Sequence, residues 1–141
     1  MKNISFYKVY KRDVDEIVEV DLSSCKNDKD IFDVFKKSFR FPDWFGENWD
    51  AFHDCITSLC FDVKDVLVVK IYGLQNVFLF SKDSANLILE DLIVLANGEA
   101  TQDNGSYINA IIYLFDIDTN CEKLILNKDL SGLEFVSNDQ K

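Results

Sequence analysis

The order of apolar patterns along the chain predicts an α/β fold: a small, mainly parallel β-sheet of three core strands, extendable by edge strands and packed with helices. Three observations carry this. Residues 66–72 read Val-Leu-Val-Val-Lys-Ile-Tyr, the nearly continuous β-branched run expected of a parallel strand covered on both faces. Segments 27–39, 47–60 and 81–96 repeat apolar side chains at helical spacing. The elements also follow the order strand, helix, helix, strand, helix, strand, whose helical crossovers should be right-handed.

Taken in order, residues 4–10 alternate apolar and polar side chains imperfectly and read as an edge strand. Residues 16–22, Glu-Ile-Val-Glu-Val-Asp-Leu, are a clearer strand. Asn27 or Asp28 can cap a helix running to about Phe39. Ile31, Phe32, Val34, Phe35 and Phe39 fall in one arc of it, with Lys36 and Lys37 outside, so it packs on one side. Pro42 biases Phe41 away from helical backbone and ends that helix, leaving 41–46 as a loop. A second helix spans about 47–60, and the strand 66–72 follows. Over 81–96, Asp83, Asn86, Glu90 and Asn97 share one narrow face while Leu87, Ile88, Leu89, Leu92, Val94 and Leu95 fill most of the rest, which describes a largely buried helix. Gly98 either ends this helix or merely weakens it, so continuation to Gln102 stays open. Residues 108–115 form another apolar strand, 124–126 and 134–136 are short strand candidates, and the last residues read as a frayed tail.

The 141 residues suit one domain, and neither a repeat nor a Pro/Gly/Ser linker marks a second. With 48% apolar and 13% aromatic residues, disorder is excluded as the main reading. The net charge of −10 argues against nucleic acid as a direct ligand, since phosphate binding needs clustered Lys and Arg. A basic protein partner, or an uncharged one, fits better. The N-terminal residues show no secretory signal, and uncharged stretches such as 71–81 are far short of the ~20 residues of a membrane helix. Cys25, Cys55, Cys60 and Cys121 form no CxxC pair and read as free buried thiols of a cytoplasmic protein.

The most distinctive stretch is 41–59, Phe-Pro-Asp-Trp-Phe-Gly-Glu-Asn-Trp-Asp-Ala-Phe-His-Asp-Cys-Ile-Thr-Ser-Leu. At about 100° per residue, Trp49, Phe52, Ile56 and Leu59 define its core face. Glu47, Asp50 and Asp54 share a face turned away from it. Neither Lys nor Arg occurs between Arg40 and Lys64 to neutralise them. The helix dipole accounts for acids in a first turn but not for Asp54 in mid-helix. On the residues alone this is either an ordinary solvated face or a preformed anionic surface. Trp44 is either an exposed anchor beside it or a residue tucked under the loop.

This stretch resembles the barstar family, intracellular inhibitors of a secreted bacterial ribonuclease. The family pattern runs Leu-Pro-acid-aromatic-aromatic-Gly into Glu-Asn-Leu-Asp-Ala-Leu-x-Asp-Cys-Leu-Thr. This chain supplies Pro42, Trp44, Phe45, Gly46, Glu47, Asn48, Asp50, Ala51, Asp54, Cys55 and Thr57 in the same register. The resemblance implies a single barstar-like domain over 1–141, with N-terminal (1–15) and C-terminal (116–141) additions relative to short family members. It implies an inhibitor of a basic ribonuclease or related nuclease toxin, with no cofactor and no metal. Asp54 would be the dominant acid, standing where a substrate phosphate lies, with Asp50, Glu47 and Trp44 beside it. Gly46 and Asn48 would be structural and Cys55 a buried thiol. His53 stands where the family carries an interface tryptophan and is expected neutral when bound to a basic partner. A further acid late in the chain is matched locally by Glu99, while Glu90 is better placed on the solvent face.

An enzyme is the rival class. His53-Asp54 with Asp50 one turn away suggests a metal-dependent phosphohydrolase, but the chain holds 1 His, and neither a Gly-rich phosphate loop nor a GxSxG turn occurs. His53 and Cys55 project about 160° apart by the helical step, unsuited to a nucleophile pair. A third reading is an immunity or regulatory binding module for a partner that is not a nuclease.

Overall fold

The computed structural model describes residues 1–8 and 13–139. Its main sheet has five strands in the order β2-β4-β6-β1-β7. Strands β2 (Val14–Asp21), β4 (Val66–Tyr72) and β6 (Asn109–Ile117) are parallel, as expected for the three core strands. Strand β1 (Lys2–Tyr7) pairs antiparallel with β6 and also with β7 (Glu134–Asp139). The sheet is therefore mixed rather than mainly parallel. The cause lies in the connections. The short segment 8–13 cannot carry the chain back along the length of the sheet, so β1 and β2, with β4 and β6 between them, run in opposite directions.

Pairing on both sides also corrects the edge position expected for 4–10: β1 is an inner strand, and Val9 and Tyr10 lie outside the described residues. The expected frayed tail is replaced by pairing as far as Asp139, with Asn138 opposite Asn3 and Asp139 opposite Lys2; residues 140 and 141 lie outside the described residues.

Helix α1 (Asp28–Ser38) starts as its sequence dictates, with the Asn27 side chain accepting from the Asp30 N–H at 2.9 Å. Helix α2 (Trp49–Ile56) ends four residues before the expected limit of 60. Thr57 closes it, its Oγ1 donating to the His53 carbonyl at 2.7 Å, and Ser58–Leu59 becomes β3, paired with β5 (Thr101–Gln102). Leu59 is thus buried from a strand rather than from the helix's core face.

A short helix, α3 (Leu74–Phe80), was not anticipated. It begins after Gly73, whose φ of +82° and 2.3 Å approach of a would-be Cβ to the Ser23 nitrogen leave room only for glycine. Helix α4 (Lys82–Ala96) is capped by Ser81. Its other end answers the question left open at Gly98: the Gly98 N–H bonds to the Leu95 carbonyl and the Glu99 N–H to that of Val94, which terminates the helix in a Schellman motif. Residues 124–126, expected as a strand, are the last turn of α5 (Thr119–Leu126). A three-residue apolar run carries no period, and here Leu124 and Ile125 are buried from a helix capped by Asp118.

One face of the sheet (Ile4, Phe6, Val18, Val20, Leu67, Val69, Ile71, Ala110, Ile112, Leu114) joins Ile31, Phe35, Phe52, Ile88 and Leu92 of the helices in one core cluster. The opposite face carries Ile17, which is 53% exposed, and the stacked rings of Tyr72 and Phe115 at 4.6 Å. Burial raises the thiols of Cys25 to about 11 and Cys121 to about 12, which keeps both inert. Cys60, expected buried with the others, is exposed. Among the described residues no helix is long and apolar enough to cross a membrane.

Candidate functional site

The loop between α1 and α2 is held from below by aromatic rings. Phe41 and Phe45 meet at 5.1 Å, Phe45 meets Phe32 of α1 at 5.8 Å, and Phe52 of α2 meets Phe35 at 4.8 Å. Edge-to-face contacts of this kind fix ring positions as well as burying area. With Phe45 only 6% exposed and pointing inward, its neighbour Trp44 points out and is 77% exposed. This decides between the two readings of Trp44 in favour of an exposed ring on a rigid support.

Asn48 then starts α2. Its Oδ1 accepts from the Ala51 N–H at 2.8 Å and its Nδ2 donates to the Gly46 carbonyl at 3.2 Å, so one side chain fixes both the turn and the helix start. Glu47 precedes this cap. It is not in the first helical turn as the periodicity implied, but in left-handed backbone with φ +47°. Its carboxylate lies 3.7 Å from Lys29 of α1. The three acids therefore do not share one helix face. Asp50 and Asp54 do, both exposed, and among the described residues neither forms an ion pair.

Trp49 is half-buried at the start of α2. Its Nε1 donates to Asp28 Oδ2 at 3.2 Å, while Asp28 Oδ1 accepts from the Ser84 hydroxyl of α4 at 2.6 Å. The same carboxylate therefore ties three helices together beneath the acidic face.

His53 lies between Asp50 and Asp54, with its side chain 56% exposed, and its Nδ1 is 2.5 Å from Oδ1 of Asp91. Asp91 projects from α4 among Ile88, Leu92 and Leu95 and is only 6% exposed. The hydrogen bond donated by the ring to Asp91 raises the imidazole above its usual 6.5; desolvation opposes it, and the charges of Asp91, Asp54 and Asp50 add to the rise. Burial raises the Asp91 carboxyl, opposed by His53. In the free protein the charged imidazole is thus favoured, while the neutral form expected from the sequence belongs to the complex with a basic partner. Asp91 itself was missed. Its signal was a lone acid within the apolar arc of an amphipathic helix, which requires a partner from another element.

Glu90, next along α4, is held by Asn86 Nδ2 at 3.2 Å and by Lys128 at 3.5 Å. Glu99 is exposed just beyond α4. The strand β5 that follows it is bound to the end of α2 through the Thr101 N–H and the Thr57 carbonyl at 2.9 Å. The fold thus brings Asp50, His53 and Asp54 together on α2, sets Trp44 on the loop leading into it, turns Glu47 toward α1 and leads Glu99 toward the far end of α2.

The model of the family described as Barstar (barnase inhibitor) matches residues 16–108. The chain belongs to the barstar family. Barstar-family proteins are non-catalytic inhibitors, and membership gives this chain the character of an inhibitor module with a ribonuclease-type protein partner rather than of an enzyme. The match runs from within β2 through β5, and with them the loop, α2 and α4; β1, β6, α5 and β7 lie outside it. A comparison with curated proteins finds no match.

Proposed function

We propose that this barstar-family protein binds and blocks the active site of a basic ribonuclease or related nuclease toxin, using α2 and the loop before it as a phosphate mimic. Asp54 takes the central position against the partner's phosphate-binding cations, with Asp50 beside it. Trp44 packs at the rim, and Glu47 and Glu99 extend the acidic field. Carboxylates aimed at clustered Arg and Lys form charge-assisted bonds, bidentate where the partner is Arg. The observation that carries this reading is the pair Asp50 and Asp54, exposed and without an ion-pair partner among the described residues, on a helix whose start and loop are rigidly fixed. An ordinary solvated face would gain by interleaving cations at i, i+4, and this one spaces two acids there instead. The free thiols of Cys25, Cys55 and Cys121, buried from reagents, suit action in the reducing cytoplasm.

The test is a low-salt pull-down comparing the native protein with Asp50→Ala/Asp54→Ala, followed by assay of captured proteins for nuclease activity and its inhibition. Capture of a basic nuclease by the native protein alone is the expected result. Equal capture by both would move the binding face elsewhere. A captured partner without nuclease activity would favour a regulatory or immunity role against another target.

A further inference from the structure

A buried carboxylate beneath an exposed imidazole, in the middle of an acidic face, does more than fill space. Asp91 has 9% of its side chain exposed and lies among apolar neighbours, an expensive place for a charge without a partner. The partner that it has is His53 Nδ1 at 2.5 Å. This contact fixes the ring: Nδ1 is directed inward, and Nε2, which bonds to no other described residue, lies on the exposed side of a ring that is mostly open to solvent.

The ring then has two states with different outward chemistry. With both nitrogens protonated, Nε2–H is a donor and the His53–Asp91 pair is neutral overall. After loss of the Nε2 proton, Nδ1–H still donates to Asp91, Nε2 becomes an acceptor and the pair carries one negative charge. Among the described residues the charges acting on the ring are acidic: Asp50 and Asp54 from α2 and Asp91 from α4, while Glu90, paired with Lys128, acts on Asp91. In the free protein they favour the protonated state.

We propose that Asp91 is a positioning residue of the binding face, holding His53 so that a basic partner engages Nε2 as an acceptor and drives its proton into solvent. This rests on the reading of the face as a site for a basic partner. Cations from such a partner replace the solvent next to the ring and repel the imidazolium, so binding and proton release are linked. The charge of Asp91, inaccessible by itself, reaches the partner through the imidazole. Affinity then rises with pH across the titration of free His53, by at most about tenfold per pH unit for one proton.

The test uses the only histidine in the chain, so one ring signal reports the site without assignment. Proton NMR follows the His53 titration in the intact protein, free and saturated with an oligoarginine peptide at low salt. Peptide affinity is measured from about pH 5.5 to pH 8.5. Free His53 should titrate above 6.5 and shift downward on saturation. Asp91→Asn should abolish the elevation and most of the pH slope. The double variant His53→Phe/Asp91→Leu, which removes both polar groups together and so spares the fold an orphaned charge, should lack that slope whatever affinity it keeps. A free His53 at or below 6.5, a ring unmoved by peptide, or an unchanged slope in the double variant overturns the proposal. Asp50→Asn/Asp54→Asn separates the two levels. If peptide binding survives that change, the reading of the face fails and this inference with it. If binding is lost there while His53 stays unmoved in the native protein, only this inference fails.

Discussion

The indole nitrogen of Trp49 donates to one oxygen of Asp28 while the Ser84 hydroxyl donates to the other, at 3.2 and 2.6 Å. The first residue of α1 thereby holds the first turns of α2 and α4. Asp28→Ala leaves a half-buried indole N–H and a buried hydroxyl without their acceptor, a loss of about 1–3 kcal/mol. Urea unfolding followed by tryptophan fluorescence should show the midpoint falling by that energy divided by an unchanged slope.

Asp54→Ala separates binding from folding. It should weaken the complex by about 2–5 kcal/mol, the scale for truncating one member of a buried charged pair, to which the barstar–barnase complex itself contributes. Folding stability should hold, or rise by a few tenths (~0.3 kcal/mol) as repulsion from Asp50 is relieved. Calorimetry on the complex and urea unfolding of the free variant check the two halves independently.

The His53–Asp91 pair makes stability depend on pH, and the sign follows from His53. Its pKa in the folded protein is raised above 6.5 by the bond to Asp91. The folded state therefore binds the proton more tightly than the unfolded chain. That contribution is fully present below 6.5 and is lost as pH rises through the folded value. More than half of the side chain is exposed, so solvent screening keeps the effect small. Thermal midpoints measured across this window should fall with rising pH in the native protein and stay flatter in His53→Gln.

Gly73→Ala places a methyl group 2.3 Å from the Ser23 backbone nitrogen at a φ of +82°. The backbone of two segments must move, and the cost should exceed about 1 kcal/mol. Gly105→Ala shares the same φ but meets open space, so it should cost clearly less. Comparing the two by urea unfolding isolates the contribution of the close approach from that of the dihedral.

What was legible in the sequence was what local chemistry decides. The strand 66–72, the start of α1 at Asn27 or Asp28 and the helix over 81–96 all follow from residues within a few positions of one another. The loop and helix of the site were readable because Pro42, Asn48 and the acids lie in one contiguous run. Elements fixed by distant partners were not. Helix α2 stops at Ile56 because Ser58 and Leu59 pair with Thr101 and Gln102 far along the chain. The seven residues of α3 are too short to display a period. Glu47 was placed by helical arithmetic one residue before the cap that suspends that arithmetic. Asp91 joins the site only through a contact across 38 positions, which periodicity within α4 cannot reveal.

The two outer strands of the sheet also bear on how copies of this molecule treat each other. A sheet border presents unpaired backbone groups that invite another chain to add a strand, and repulsive charge is one of the ways proteins prevent it. Here β2 carries Asp15, Glu16, Glu19 and Asp21, while β7 carries Glu134 and Asp139. Any two borders brought together would oppose acid to acid. Strand β7 also covers the backbone of β1, so this strand guards against strand addition as much as it completes the sheet.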